Sequence, residues 1–141
     1  MENSSTTTIT VSVAINAGIE KVWEYFNSPE HIVQWNSASP EWHTPRATND
    51  LRVGGKINSR MEAKDGSMGF DFEGIYSNII PHQLIEYVIG DGRKVKVVFS
   101  ADNDITTLTE TFEAEGTHPK EMQEQGWQAI LNNFKRHVET N

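Results

Sequence analysis

Two periodicities divide this chain, and their order constrains its fold more than any other feature. From about Thr44 to Glu115 apolar residues alternate with polar ones between turn signals. From about Pro119 to Glu139 they recur every three or four residues, placing Met122, Trp127, Ile130, Leu131, Phe134 and Val138 on one helical stripe. At 1.5 Å per residue, about twenty residues span roughly 30 Å, enough to cross a whole sheet. A helix of that length, following a run of antiparallel strands, must lay its stripe on the sheet they form. Each large side chain buried there contributes on the order of 1.5–3 kcal/mol. The space between helix and sheet is then packed solid or left hollow, and that alternative decides whether the chain holds a small molecule.

The rest of the chain fills in around that pair. Thr8 to Ile15 alternates as a half-buried strand, with Ile9, Val11, Val13 and Ile15 on one side. Asn16 is placed to cap a helix over 17–26 whose Ile19, Val22, Trp23 and Phe26 share a face. Ser28-Pro29 starts a second short helix that ends near Gln34 or Trp35, and residues 36–40 read as a loop. Strands are expected at 42–49, where Pro45 suits an edge position, and at 56–63 after Gly54-Gly55. The Asp65-Gly66 hairpin signal leads to 67–80, Pro81 to 83–89, Asp91-Gly92 to 93–101, and Asp102-Asn103-Asp104 to 106–115. The expected class is α+β: seven strands, two short helices after the first, one long helix last. Residues 1–8 read as a polar tail and 9–141 as a single domain. Gly126 costs about 1 kcal/mol in helix propensity, which a close approach of the backbone to the sheet or to a ligand would explain.

Composition narrows the chemistry. The 141 residues include no cysteine, which excludes disulfides, thiolate metal sites and cysteine nucleophiles. No apolar run approaches the ~18–20 residues that span a bilayer. Met1 to Thr8 lacks the basic and apolar regions of a signal peptide, so a cytoplasmic location is the default and Asn3-Ser4-Ser5 reads as a chance glycosylation match. A net charge of −8 repels phosphate backbones, and Lys94 and Lys96 alternate on a strand as a solvated face, so nucleic acid is not an expected partner. His31, His43, His82, His118 and His137 are scattered without a zinc-binding spacing. Asp102-x-Asp104 with Glu113 echoes a calcium loop, but Thr107 stands where glycine is needed. With no phosphate-cradling loop or nucleophile elbow, no cofactor or metal is expected.

Several short motifs occur in a fixed order along the chain. They are Ile15-Asn16-Ala17 before Val22-Trp23, Ser28-Pro29-Glu30 and Trp35, Asp50-Leu51-Arg52-Val53-Gly54-Gly55, and Asp65-Gly66. Gly74-Ile75-Tyr76 through Ile80-Pro81 follows, then Gly126-Trp127 with Leu131. In these the chain resembles the START/Bet v 1-like superfamily, in the branch similar to the C-terminal domain of the Hsp90 ATPase activator, from about Ile9 to Val138. The resemblance implies a helix-grip fold, a curved seven-stranded antiparallel sheet wrapped around the C-terminal helix over a deep cavity. It also implies binding of lipids, polyketides or other hydrophobic molecules, occasional cyclase or hydrolase chemistry, and co-chaperone activity. It carries no shared catalytic set. The co-chaperone relatives add an N-terminal domain for much of the chaperone contact, and this chain has no room for one.

Alternation sorts the candidate site residues. Phe70, Phe72 and Tyr76 share one side of their strand, opposite Asp71, Glu73 and Ile75; Met61 aligns with Ile57 and Ser59, Tyr87 with Ile85 and Ile89, and Val97 with Val95 and Phe99. These faces meet Trp127, Ile130 and Phe134 of the last helix. Together with Trp35 and Trp42, which flank the loop as a gate or a plug, Met61, Phe70, Phe72, Tyr76, Tyr87, Val97, Phe99, Trp127, Ile130 and Phe134 are the candidate ligand contacts. Read one by one, the same residues also suit a filled core. Glu110 is in register with Leu108 and Phe112 and is the candidate polar group of the cavity. The favoured placement is nonetheless outward through a bulge, with Thr107, Thr109 and Thr111 inside. Asp71 and Glu73 read as solvated. The expected function is non-enzymatic binding of a small lipid-like or polyketide-like molecule. The alternatives are a chaperone-contacting domain and a cyclase-, dehydratase- or hydrolase-type enzyme, which needs an inward acid or base.

Overall fold

The computed structural model describes residues 7–141, so most of the expected tail and the Asn3-Ser4-Ser5 match lie outside the described residues. Thr8 already belongs to the first strand. The elements are β1 (Thr8–Ile15), α1 (Ile19–Asn27), α2 (Pro29–Trp35), β2 (Trp42–Asn49), β3 (Lys56–Ala63), β4 (Gly69–Ile80), β5 (Leu84–Ile89), β6 (Lys94–Asp102), β7 (Ile105–Glu113) and α3 (Lys120–Thr140). All strands join one antiparallel sheet in the order β1-β7-β6-β5-β4-β3-β2. The turns make the meander: Gly66 and Gly92 take the positive φ that a tight reversal requires, and Asn103 does so between β6 and β7.

β1 pairs with β7, not with the strand that follows it, so β1 and β2 form opposite edges. Helices α1 and α2 carry the chain from one edge to the other, and the sheet curls into a half-barrel with α3 in its hollow. Pro45 falls on the edge strand β2, at a register shift between His43 and Arg46 where its missing N–H leaves no ladder bond broken. Asn16 does not cap α1. The helix starts at Ile19 after Gly18 with no side-chain cap, and the Asn16 backbone N–H instead donates to Glu139 Oε2 at 2.8 Å, tying α3 to the β1–α1 turn.

The hollow between α3 and the sheet is divided. Around the C-terminal half of α3 it is filled: Leu131, Phe134 and Val138 are buried with Ile15, Phe99 and Leu108 from the sheet and Val22 and Ile32 from the short helices. Aromatic edges lock this end, with Phe134 centred 4.8 Å from Trp35 and 5.3 Å from Phe26, and Phe26 5.6 Å from Phe99. Around the N-terminal half of α3 the helix stands off, and an open space remains.

Candidate ligand cavity

That space is a cavity of about 600 Å³. Its roof is α3, through Met122, Gln123, Gly126, Trp127 and Ile130; its floor is the concave face of β3, β4, β5 and β7. Of the candidate contacts, Trp35, Trp42, Met61, Phe70, Phe72, Tyr76, Tyr87, Trp127 and Ile130 line it. Val97, Phe99 and Phe134 do not: Phe99 and Phe134 are buried in the filled end, where Phe99 also packs edgewise on Trp23 at 5.0 Å, and Val97 is buried in β6 between Ile85 and Glu110. Alternation puts Val97 and Phe99 on the inward face of β6, and the helical stripe does the same for Phe134, but all three pack in the core beside the open space.

The walls are rigid for identifiable reasons. Trp127 stacks on Phe112 with ring centres 3.8 Å apart and an interplanar angle of 12°. Phe72 meets both Trp127 and Tyr87 edge-on, at 6.3 and 6.4 Å. Tyr87 rests over Gly74, where a Cβ would come within 2.7 Å of its ring, so the glycine makes the room this wall needs. The Tyr76 hydroxyl donates to Asn49 Oδ1 at 2.6 Å, and burial raises both tyrosine phenols above their ordinary range.

Gly126 lines the cavity, and a Cβ built on it meets nothing within 4 Å. A close approach to the sheet is therefore not the reason for this glycine; the volume beside it is part of the cavity. Loop residues Asn36, Ala38 and Ser39 close one side. They are held from both flanks, since Thr44 Oγ1 donates to the Asn36 carbonyl at 2.6 Å and the Asn133 amide donates to the Ser37 carbonyl. Trp42 stands at the rim 6.1 Å from Phe70, which with Met122 is exposed.

Glu110 reverses its favoured placement. The β7 register is continuous against both β1 and β6, with Glu110 opposite Val11 and Val97, so no bulge turns it outward. Alternation then puts it inside with Leu108 and Phe112, 6% exposed and on the cavity wall, while Thr107, Thr109 and Thr111 take the other face. Among the described residues it has no hydrogen-bond partner, and burial pushes its carboxyl up to about 8. Asp71 and Glu73 lie on the outer face, 3.6 Å from Arg60 Nη1 and from Lys56 Nζ respectively. Among the described residues no cluster of His, Asp and Glu is arranged to hold a metal, and no helix is long and apolar enough to cross a membrane.

Other lining residues also carry a signal in the sequence. Ile57, Ser59 and Ile85 share the face of Met61 and Tyr87, and Gln123 lies one helical turn before Trp127. Phe26, Ile32, the loop residues and His118 are brought in by tertiary packing alone.

No curated protein matches this chain. Among solved structures, an AHSA1-like protein from Aeromonas hydrophila is 43% identical with a TM-score of 0.89, over 95% of this chain and 93% of that one. A protein from Cytophaga hutchinsonii is 55% identical with a TM-score of 0.82, over the same shares of 95% and 93%. A Chromobacterium violaceum protein, 22% identical, shares the fold with a TM-score of 0.85 over 96% and 99%. The family described as Activator of Hsp90 ATPase homolog 1-like protein matches residues 16–139. With that match laid along a half-barrel closed over α3, the chain belongs to the Activator of Hsp90 ATPase homolog 1-like family.

Proposed function

We propose that this protein binds a small hydrophobic molecule, lipid-like or polyketide-like, between α3 and the sheet, without transforming it. The observation that carries this reading is the cavity itself: about 600 Å³, roofed and floored by aromatic and aliphatic side chains, with a few polar groups inside. Ligand sites typically occupy ~300–1,000 Å³ and pair an apolar lining with sparse polar groups that orient the guest. Gly126 supports the same reading, because the helix forgoes a better residue where a side chain would enter the space.

The test is a panel of lipids, flavonoids and polyketides followed by NMR. Binding moves the signals of Phe72, Tyr76, Tyr87 and Trp127, and Gly126→Leu, which fills the space from the roof, abolishes those shifts. A panel that leaves all four residues unmoved overturns the reading. Family membership favours a second reading, contact with an Hsp90-type chaperone. Stimulation of the chaperone's ATPase by the purified domain tests it, and no effect at micromolar concentration counts against it. Glu110 is an inward acid of the kind an enzyme requires, so turnover of a bound polyketide is the assay for that alternative.

A further inference from the structure

We infer that the cavity selects hydrophobic amines and rejects hydrophobic carboxylates, an inference that rests on the cavity being a ligand site. Three observations converge on it. Among the described residues Glu110 is the one carboxyl in the lining, is buried, and finds no hydrogen-bond partner. The lining contains no lysine or arginine, and its single histidine, His118, is at the exposed rim. Aromatic rings surround the space, among them Trp35, Phe72, Tyr76, Tyr87 and Trp127.

Each observation acts on a ligand's polar group. A buried carboxyl without a partner is costly to leave unpaired, so a guest that reaches it regains a hydrogen bond made in low dielectric. A ketone supplies an acceptor alone, and an alcohol supplies a donor and an acceptor but no charge. A protonated amine supplies a donor and a charge, and the negative ring faces around it attract that charge as well. A fatty or aromatic acid brings a negative charge into a dry space with no cation to receive it, beside an acid that burial already keeps from ionising.

The elements packed against Glu110 offer Val11 from β1, Val97 from β6, Tyr87 from β5 and Trp127 and Ile130 from α3. Tyr87 is the one titratable group among these, and burial keeps its phenol neutral. Binding therefore has a fixed proton balance. A neutral carboxyl and an ammonium ion give a carboxylate–ammonium pair and release one proton to solvent. The same proton is released if the pair settles as a neutral acid and a neutral amine.

The experiment uses three probes on one ring: 1-naphthylmethylamine, 1-naphthalenemethanol and 1-naphthoate. Titration calorimetry at pH 7 in buffers of different ionisation enthalpy gives both affinity and proton count. The amine should bind about tenfold more tightly than the alcohol, and naphthoate about tenfold more weakly. With the Glu110 carboxyl near 8, amine binding should release about 0.9 proton and alcohol binding none. Glu110→Gln should remove the proton release and bring amine and alcohol within about threefold of each other. If that variant does not fold, the wild-type proton count decides alone. Naphthoate binding as tightly as the amine, or amine binding without proton release, overturns the inference. Alcohol binding with no amine advantage overturns it while leaving the cavity reading intact. Failure of all three probes to bind removes both.

Discussion

Glu110→Gln keeps the shape of the side chain and removes its charge, so it measures what the buried acid costs the fold. An unfolded glutamate titrates near ~4.3, whereas burial pushes Glu110 up to about 8. Between those values the folded chain holds a proton that the unfolded chain has lost, so stability declines as pH rises through the window. Below about pH 4 both states carry the proton and the cost vanishes; above about pH 8 it levels off. At ~1.36 kcal/mol per pH unit, the cost is on the order of 4 kcal/mol at pH 7 and 5 kcal/mol at pH 8. Urea denaturation of both proteins at pH 4 and pH 8 is the assay. The amide has hydrogen-bonding needs of its own, which are the same at the two pH values, and the other titrating groups act equally in the two proteins, so both cancel in the double difference. The variant should therefore gain about 4 kcal/mol on the wild type between pH 4 and pH 8. Stability curves that stay parallel within about 1 kcal/mol would refute an ionisable acid buried at this position.

Gly126→Ala should stabilise the protein by about 0.5–1 kcal/mol, since the methyl enters open space and the helix loses its weakest residue; a lower melting temperature would show that the backbone there is constrained. Phe134→Ala should cost about 3–5 kcal/mol because it empties the filled end, whereas Phe72→Ala, beside an existing void, should cost about 1–2 kcal/mol. Equal costs in denaturant would contradict the division of the interior. His137 Nε2 lies 2.9 Å from His31 Nδ1, and burial, with His31 close by, holds the His137 imidazole below its ordinary 6.5. The fold favours the neutral ring, so this stabilisation is complete above the unfolded value and is lost as pH falls through it. Thermal melts should therefore drop further between pH 7.5 and pH 5 for the wild type than for His137→Gln, and identical drops would remove the pair as an acid-sensitive contact.

The elements were legible because their periodicities are strong. Val95, Val97 and Phe99 alternate with exposed neighbours in β6 as the pattern requires, and the stripe from Trp127 to Val138 faces inward. Where α3 stands off was not legible. Alternation reports which face a side chain occupies, not how far the opposite layer lies. That distance is set by particular contacts, such as Trp127 flat on Phe112 at one end and Phe134 wedged between Phe26 and Trp35 at the other. Periodicity therefore groups Val97, Phe99 and Phe134 with the cavity residues, although they pack in the core beside the open space. An outward Glu110 would need a bulge in β7, and it would spare the cost of burying a charge. Its strand had two paired neighbours that left no slack for a bulge, and the conflict was resolved by holding the proton instead.

The pairing of β1 with β7 governs how this chain must come together. Thr10 meets Thr111 at a sequence separation of 101, so the segment synthesised early waits for one near the end before its backbone groups find partners. Closing so large a loop is entropically slow, and sheets built this way fold in about milliseconds to seconds rather than microseconds. During that interval the segment from Thr8 to Ile15 is an unguarded ribbon edge with alternating greasy side chains, the kind of template on which neighbouring molecules self-associate. Yield on refolding should accordingly fall with protein concentration long before the finished domain loses solubility.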